Sequence, residues 1–297
     1  MVLIAGTADA QAPSRSEGAP DRYDRLLPIG AQAAINRGYD VQLPYGISVM
    51  LIDSGQQLRA RELAVTLARD SAPSADMPLR PVPFVVPTKI KSDTIGPQVR
   101  LDLWVLPFLN LFVSLGRVKG DVDVTVDIDL DALFPFPICR PANPCGTRTL
   151  AFTADADNTT TTFGALAVYG AETWFIAGTA AKTISVSSKE RSDIETLNAA
   201  VRLGPRLKLG RKSELMPYAG VNYFKLDTTL TGIVSAADVF PDGGDLSLGY
   251  RTRLSNPERA AGVIGGNLVL DDHWQLQAEH ERSGSGHRSI ASLTFRF

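Results

Sequence analysis

The chain reads as all-β: a single antiparallel up-and-down β-barrel that crosses a membrane with about ten strands. Three observations predict it. Across residues 44–297, segments of ten or more residues alternate apolar side chains with polar or small ones. That period of two gives each segment one face for an apolar medium and one for a polar medium. The connections between segments alternate short and long, as in barrels with short turns at one end and longer loops at the other. Finally, no stretch reaches the roughly 18 apolar residues of a membrane helix. The longest candidate, Leu101 to Leu115, is broken by Asp102, Pro107 and Asn110.

The 297 residues are 44% hydrophobic and 21% charged, which excludes a disordered chain. A net charge of −2 gives no basic excess for a nucleic-acid partner. Soluble sandwiches also alternate, but their strands are usually about five or six residues long. Whether the protein needs detergent separates the two architectures.

At the N-terminus, Met1-Val2-Leu3-Ile4-Ala5-Gly6-Thr7-Ala8-Asp9-Ala10-Gln11-Ala12 places small residues at Ala10 and Ala12. These fit the end of a secretory signal peptide whose basic region is missing, so 1–12 reads as a truncated remnant. Residues 13–43 are irregular and rich in proline, with one short helix expected over Ile29–Arg37 against the periplasmic mouth.

The barrel itself is predicted strand by strand. Pro44 to about Leu67 forms one long first strand in the ten-strand reading; a hairpin at Ser54-Gly55 would make the count twelve. Val99, Leu101, Leu103 and Val105 alternate with Arg100, Asp102 and Trp104, and a turn at Pro107–Asn110 leads into Leu111, Val113 and Leu115. Ala199, Val201, Leu203, Leu207 and Leu209 oppose Arg202, Arg206 and Lys208. Three cations facing lipid would cost about 2–4 kcal/mol each near the midplane, so they are assigned to the lumen. Further short turns fall at Gly170–Thr173, Gly210–Ser213 and Asp271–His273. Long connections fall near 69–95, 131–158, 188–192 and 232–257, with a tight tip at Ser283–Gly286. Asn158 to Thr162 reads as a strand start or rim. Trp274, Leu276 and Ala278 oppose Gln275, Gln277 and Glu279 on the penultimate strand.

The last strand ends Leu293-x-Phe295-x-Phe297. This resembles the C-terminal β-signal of Gram-negative outer-membrane proteins. The resemblance implies a bacterial outer-membrane location, insertion by the barrel-assembly machinery, and outer-membrane lipids and lipopolysaccharide as surroundings.

Candidate functional residues fall into four groups. Arg100, Asp102, Arg202, Arg206, Lys208, Glu279, Glu281 and Arg296 line the lumen, either as ion pairs filling a narrow barrel or as a small polar pore or ligand pocket. Asp121, Asp123, Asp127, Asp129 and Asp131 share one face; clustered carboxylates are either solvated above the membrane or bridged by a hard cation such as Ca²⁺. Cys139 and Cys145, in a proline-rich loop, suit a local disulfide in an oxidising compartment. His287-Arg288-Ser289 has the spacing of outer-membrane lipid A deacylases, which that resemblance would make a base and nucleophile with Glu279 or Glu281 as orienting acid. The family's acid, however, follows the serine, and none follows Ser289. Asp271-Asp272-His273 resembles omptin-like protease groups but falls in a periplasmic turn. No cofactor motif is present. The sequence thus favours a non-enzymatic barrel that is structural, binding or a small-solute channel. The alternatives are a lipid or peptide hydrolase at His287 and Ser289, or adhesion and divalent-cation binding through the loops.

Overall fold

A computed structural model describes residues 22–69, 80–81, 85–133, 146–187, 193–210, 212–236 and 246–297. They form one closed antiparallel barrel of ten strands. The strands are β1 (Tyr45–Arg69), β2 (Val85–Leu106), β3 (Leu109–Asp129), β4 (Thr147–Gly170), β5 (Trp174–Ser187), β6 (Asp193–Pro205) and β7 (Ser213–Ala236). The eighth is interrupted, as β8a (Leu246–Ser255) and β8b (Ala260–Leu270), and β9 (Trp274–Arg282) and β10 (Gly286–Arg296) complete the wall. Each strand pairs with its sequence neighbour, except where the wall narrows at β8a, and β1 closes the circle on β10 from Gly46↔Arg296 to Gln56↔Gly286. The ends are tied reciprocally: Phe297 N–H donates to the Tyr45 carbonyl at 3.0 Å and Tyr45 N–H to the Phe297 carbonyl at 3.3 Å.

The first strand is unbroken through Ser54-Gly55, which fixes ten strands rather than twelve. At Gly55 a Cβ would press on two side chains, 2.6 Å from the ring of His287 on β10 and 2.7 Å from the Asp93 carboxylate on β2.

Outward positions on the half nearer the short turns are apolar: Ile47, Val49 and Leu51 on β1, Leu111 and Leu115 on β3, Leu276 on β9 and Leu293 on β10. Exposed apolar surface on this scale needs a non-aqueous neighbour. Aromatic residues gird its lower rim, where Tyr45 stacks on Phe297 (5.8 Å), Tyr169 meets Trp174 (5.9 Å) and Trp274 meets Phe295 (5.0 Å).

Six strand segments continue well beyond the belt. β1, β3, β4 and β7 run 21 to 25 residues, against the about 9–11 a membrane requires. Their polarity reverses on the way up. On β3 the outward series changes from Leu111, Val113, Leu115 to Arg117, Lys119, Asp121, Asp123, while the inward series becomes Val118, Val122, Val124, Val126. On β1, Asp53, Gln57, Arg59 and Arg61 face out, and Leu58 and Ala60 face in. The extension is therefore a water-facing collar with an apolar interior.

The collar has fewer strands than the belt. Above the tip of the β9–β10 hairpin, β8a pairs directly with β1, from Arg59↔Ser255 to Arg69↔Leu246. Asn256 manages the break between β8a and β8b. Its carboxamide accepts from Leu226 N–H (3.0 Å) and donates to the Phe224 carbonyl (2.8 Å), replacing ladder bonds lost at Pro257.

The collar corrects three expected loops and one expected rim. Val85–Ile95, Thr147–Asn158 and much of 232–257 are strand, and Asn158–Thr162 lies in mid-strand with Thr160 buried. The expected helix is shorter, α1 (Ala31–Asn36), and sits at the short-turn end, where Ile29 N–H donates to the Val105 carbonyl at 2.8 Å. At the Asp271–His273 turn, Asp271 and Asp272 adopt φ of 52° and 53°, a left-handed conformation aspartate tolerates. Residues 1–12 and the cysteine pair Cys139 and Cys145 lie outside the described residues.

Candidate functional site: the lumen network

Strand parity turns the charged residues of the belt inward, and burial forces them to pair. Two clusters fill the lumen. Near the short-turn end, Arg296 of β10 donates to Asp102 of β2 at 2.9 Å, with side-chain exposures of 8% and 1%. Asn110 Nδ2 donates to the same carboxylate at 2.6 Å, and Arg100 reaches Asn110 Oδ1 at 3.3 Å while lying 3.8 Å above the Phe112 ring. One level up, Ser114 donates to Gln98 at 3.1 Å.

The second cluster bridges β5 to β10 on the inner wall. Arg202 of β6 grips Glu279 of β9 through Nε at 2.5 Å and Nη2 at 2.7 Å, and its Nη1 donates to Thr179. Tyr218 donates its hydroxyl to Glu279 at 2.8 Å and accepts from Gln277 at 3.0 Å. Glu281 accepts from Asn222 and from Arg288, both at 2.7 Å. Against the same residues packs a small apolar cluster of Phe175, Ala177, Tyr218 and Val263. Bidentate guanidinium–carboxylate pairs of this kind are the strong class of charged hydrogen bond. These side chains project into the interior of a ten-strand barrel.

The sequence-derived lumen set is partly redistributed. Asp102, Glu279, Glu281 and Arg296 are buried in these clusters, with Arg100 and Arg202 beside them. Arg206 lies at the short-turn rim, where Glu214 holds it by hydrogen bonds of 2.6 and 2.9 Å that raise its pKa. Lys208 does not line the lumen: β6 ends at Pro205, and Lys208 stands exposed on the two-residue strand Leu207–Lys208, which pairs with Leu215 and Glu214 at the short-turn rim, 3.4 Å from Glu172. Tyr218, Asn110, Asn222, Gln98 and Arg288 were missed. Their inward parity was readable; their partners were not.

The aspartate face belongs to the collar exterior. Asp123 and Asp127 accept from the cross-strand hydroxyls of Thr153 (2.7 Å) and Thr149 (2.6 Å). Asp129 accepts from the N–H groups of Asp131 and Ala132, opening a one-turn helix, α2 (Leu130–Leu133). Asp121 lies opposite Asp155. Among the described residues no group of three or more His, Cys, Asp or Glu could hold a metal ion.

The histidine and serine near the C-terminus meet in a different pairing from the one expected. Ser289 is hydrogen-bonded to His280 Nδ1 of β9 at 3.0 Å, not to His287. His287 approaches Asp53 of β1 at 3.8 Å and stacks on His280 with ring centres 6.3 Å apart. Glu279 and Glu281 cannot orient either imidazole, because they point to the lumen while the histidines face outward. Leu293, Phe295 and Phe297 share that outward parity.

Fold and wall together define a closed ten-strand antiparallel β-barrel with an outward apolar belt and paired polar side chains turned inward. No protein-family model and no curated protein matches the chain. Among solved structures it is similar to the beta domain of the Bordetella autotransporter Brka, at 12% identity and TM-score 0.36, over 87% of this chain and 100% of that one. It is similar to an outer-membrane channel from Pseudomonas putida F1, at 13% identity and TM-score 0.32, over 87% and 97% of the two chains. A FadL homologue of Pseudomonas aeruginosa gives 10% identity and TM-score 0.33, over 86% and 90%. Likeness of this degree concerns barrel architecture alone.

Proposed function

We propose that the chain is a closed, non-enzymatic outer-membrane barrel that serves as a structural or binding platform rather than as an open pore. The observation that carries this reading is the buried pair Arg202–Glu279, which bridges from β6 to β9 over the inner face of β7 and β8b and is extended through Tyr218, Gln277 and Thr179. A solute would have to break buried charge-assisted bonds to pass, and truncating one partner of such a pair typically costs about 3–5 kcal/mol. The reading places the short turns and both termini in the periplasm and the collar outside the cell. It assigns Leu293, Phe295 and Phe297 to recognition by the barrel-assembly machinery, and lipopolysaccharide and other outer-membrane lipids to the apolar belt. It includes no nucleic-acid partner and no cofactor.

Planar-bilayer recording tests it. The native barrel is expected to give no conductance steps above background. The variant Arg202→Ala/Glu279→Ala combined with Asp102→Ala/Arg296→Ala, which removes the ion pairs of both clusters, is expected to open steps. Regular steps from the native protein would overturn the closed-barrel reading in favour of a small-solute channel.

A further inference from the structure

The outer wall carries a second built feature on the face formed by β1, β8b, β9 and β10. Ladder register sets the outward side chains there in rows across the strands. One row is Val49, Leu293, Leu276 and Leu268. Above it lies a row of small residues beside one leucine: Leu51, Ala291, Ala278 and Gly266. Above that come Asp53, Ser289, His280 and Ile264, then Gly55, His287, Arg282 and Gly262. The small row sinks the surface between its neighbours, leaving an open depression of about 680 Å³ with Leu51 and Ile264 as walls and Ala278 and Ala291 as floor. Its upper edge is polar, made by Asp53, His280 and Ser289.

Depth and charge say what fits. The depression sits in the belt just below the level where β1 turns charged at Asp53, on the side of the collar. An acyl chain fills the apolar floor there and its headgroup meets the polar edge. Asp53 is faced by His287 at 3.8 Å and Asp93 by Lys91 at 2.6 Å, so both nearby carboxylates have cationic or cationisable neighbours. Arg282, exposed at the top of the face, has no ion pair among the described residues. The cation left to meet an anion is therefore Arg282, one row above the depression's polar edge. Ser289 and His280 are hydrogen-bonded as a nucleophile and base would be, but the backbone N–H groups around them are spent in the β1–β10 and β9–β10 ladders. No pair of donors is left beside Ser289 to hold an oxyanion, which ester cleavage requires. Binding, not turnover, is what the geometry supports.

We infer that this depression is a specific site for lipid A, the phosphorylated acyl lipid of lipopolysaccharide, with one acyl chain over Ala278, Ala291 and Gly266 and a phosphate on Arg282. The inference rests on the outer-membrane reading above. It also supplies that reading with a ligand class.

Native mass spectrometry of the full chain in detergent micelles tests it, with diphosphoryl lipid A as probe and phosphatidylglycerol as comparator. One lipid A is expected to remain bound to the native barrel, in preference to phosphatidylglycerol. Gly266→Leu fills the depression, and its Cβ meets nothing closer than 3.7 Å, so the wall accommodates it. That variant is expected to lose the bound lipid. Arg282→Gln leaves the packing alone and is expected to lower retention about fivefold, the usual worth of one basic residue at a lipid surface. Unchanged retention in Arg282→Gln and in folded Gly266→Leu overturns the site, as does equal retention of phosphatidylglycerol. If Gly266→Leu fails to fold, Arg282→Gln decides alone. A chain that stays monomeric without detergent would overturn the outer-membrane reading itself, a result distinct from either.

Discussion

Arg202 and Glu279 are 77 residues apart in sequence and joined by two hydrogen bonds, of 2.5 and 2.7 Å. The strands that carry them, β6 and β9, have β7 and β8b between them, so the pair bridges two strands on the inner face of the wall. Glu279 has a fully buried side chain and Arg202 is only 13% exposed. Glu279→Ala leaves a guanidinium without its counter-charge, and is expected to destabilise the barrel by about 3–5 kcal/mol. Replacing both by apolar residues, Arg202→Met with Glu279→Leu, is expected to recover most of that loss. Guanidinium unfolding in lipid vesicles measures both, and a single variant as stable as the native protein would refute the role.

The belt and the collar predict opposite responses to charge. Leu276 is outward-facing and exposed in the belt, so Leu276→Arg is expected to cost about 2–4 kcal/mol near the midplane. Arg59→Leu, outward on the collar, is expected to change stability by less than about 0.5 kcal/mol. The same unfolding experiment compares them.

Two glycines on neighbouring strands separate close approach from open space. A Cβ on Gly204 would come within 1.9 Å of the Pro217 carbonyl oxygen, a backbone atom, whereas Gly178 has nothing within 4 Å. Gly204→Ala is expected to lower stability by about 1–3 kcal/mol through overpacking of β6 on β7. Gly178→Ala should be tolerated. Thermal shifts of the two purified variants check the contrast.

On the collar, the hydrogen bond from Lys225 to Asp227, 2.8 Å long, holds the aspartate's pKa below its ordinary value. A depressed carboxylate contributes stability above its unfolded pKa, and that contribution disappears as pH falls through the lower folded value. Carbon-detected NMR titration is expected to place Asp227 below 3.8, and Lys225→Gln to bring it back toward that value. The pair is exposed, so its effect on overall stability is expected to be small.

Much of this architecture is legible in the chain because a wall one residue thick writes its two environments into alternate positions. Val99 to Val105 and Trp274 to Glu279 could be assigned to faces by counting alone. The collar resisted the same reading. There the dry and wet faces exchange, and segments such as Thr147–Asn158, rich in threonine, alanine and aspartate, look like surface loop. In the lumen, parity found Asp102, Glu279 and Arg296, but no local signal joins Arg296 to Asp102 across 194 residues, or Tyr218 to Glu279 across 61. Lys208 was misplaced because its alternation runs on past Pro205 into a short rim strand whose side chains are both exposed. Ser289 was given the wrong histidine because cross-strand register, not spacing along one strand, sets His280 opposite it.

The exchange of faces along β1 and β3 has a consequence for assembly. A strand slipped by one residue against its neighbour turns every side chain to the other surface. In a uniform strand that error is punished once. In β3 it would drive Ser114 and Asn110 into acyl chains and, in the same movement, Val122 and Val126 into water. The point of reversal, between Leu115 and Arg117, also marks how far the strand can sink: one step deeper buries a guanidinium, one step higher bares a leucine. Register and depth are thereby locked by the same two residues, without help from any loop.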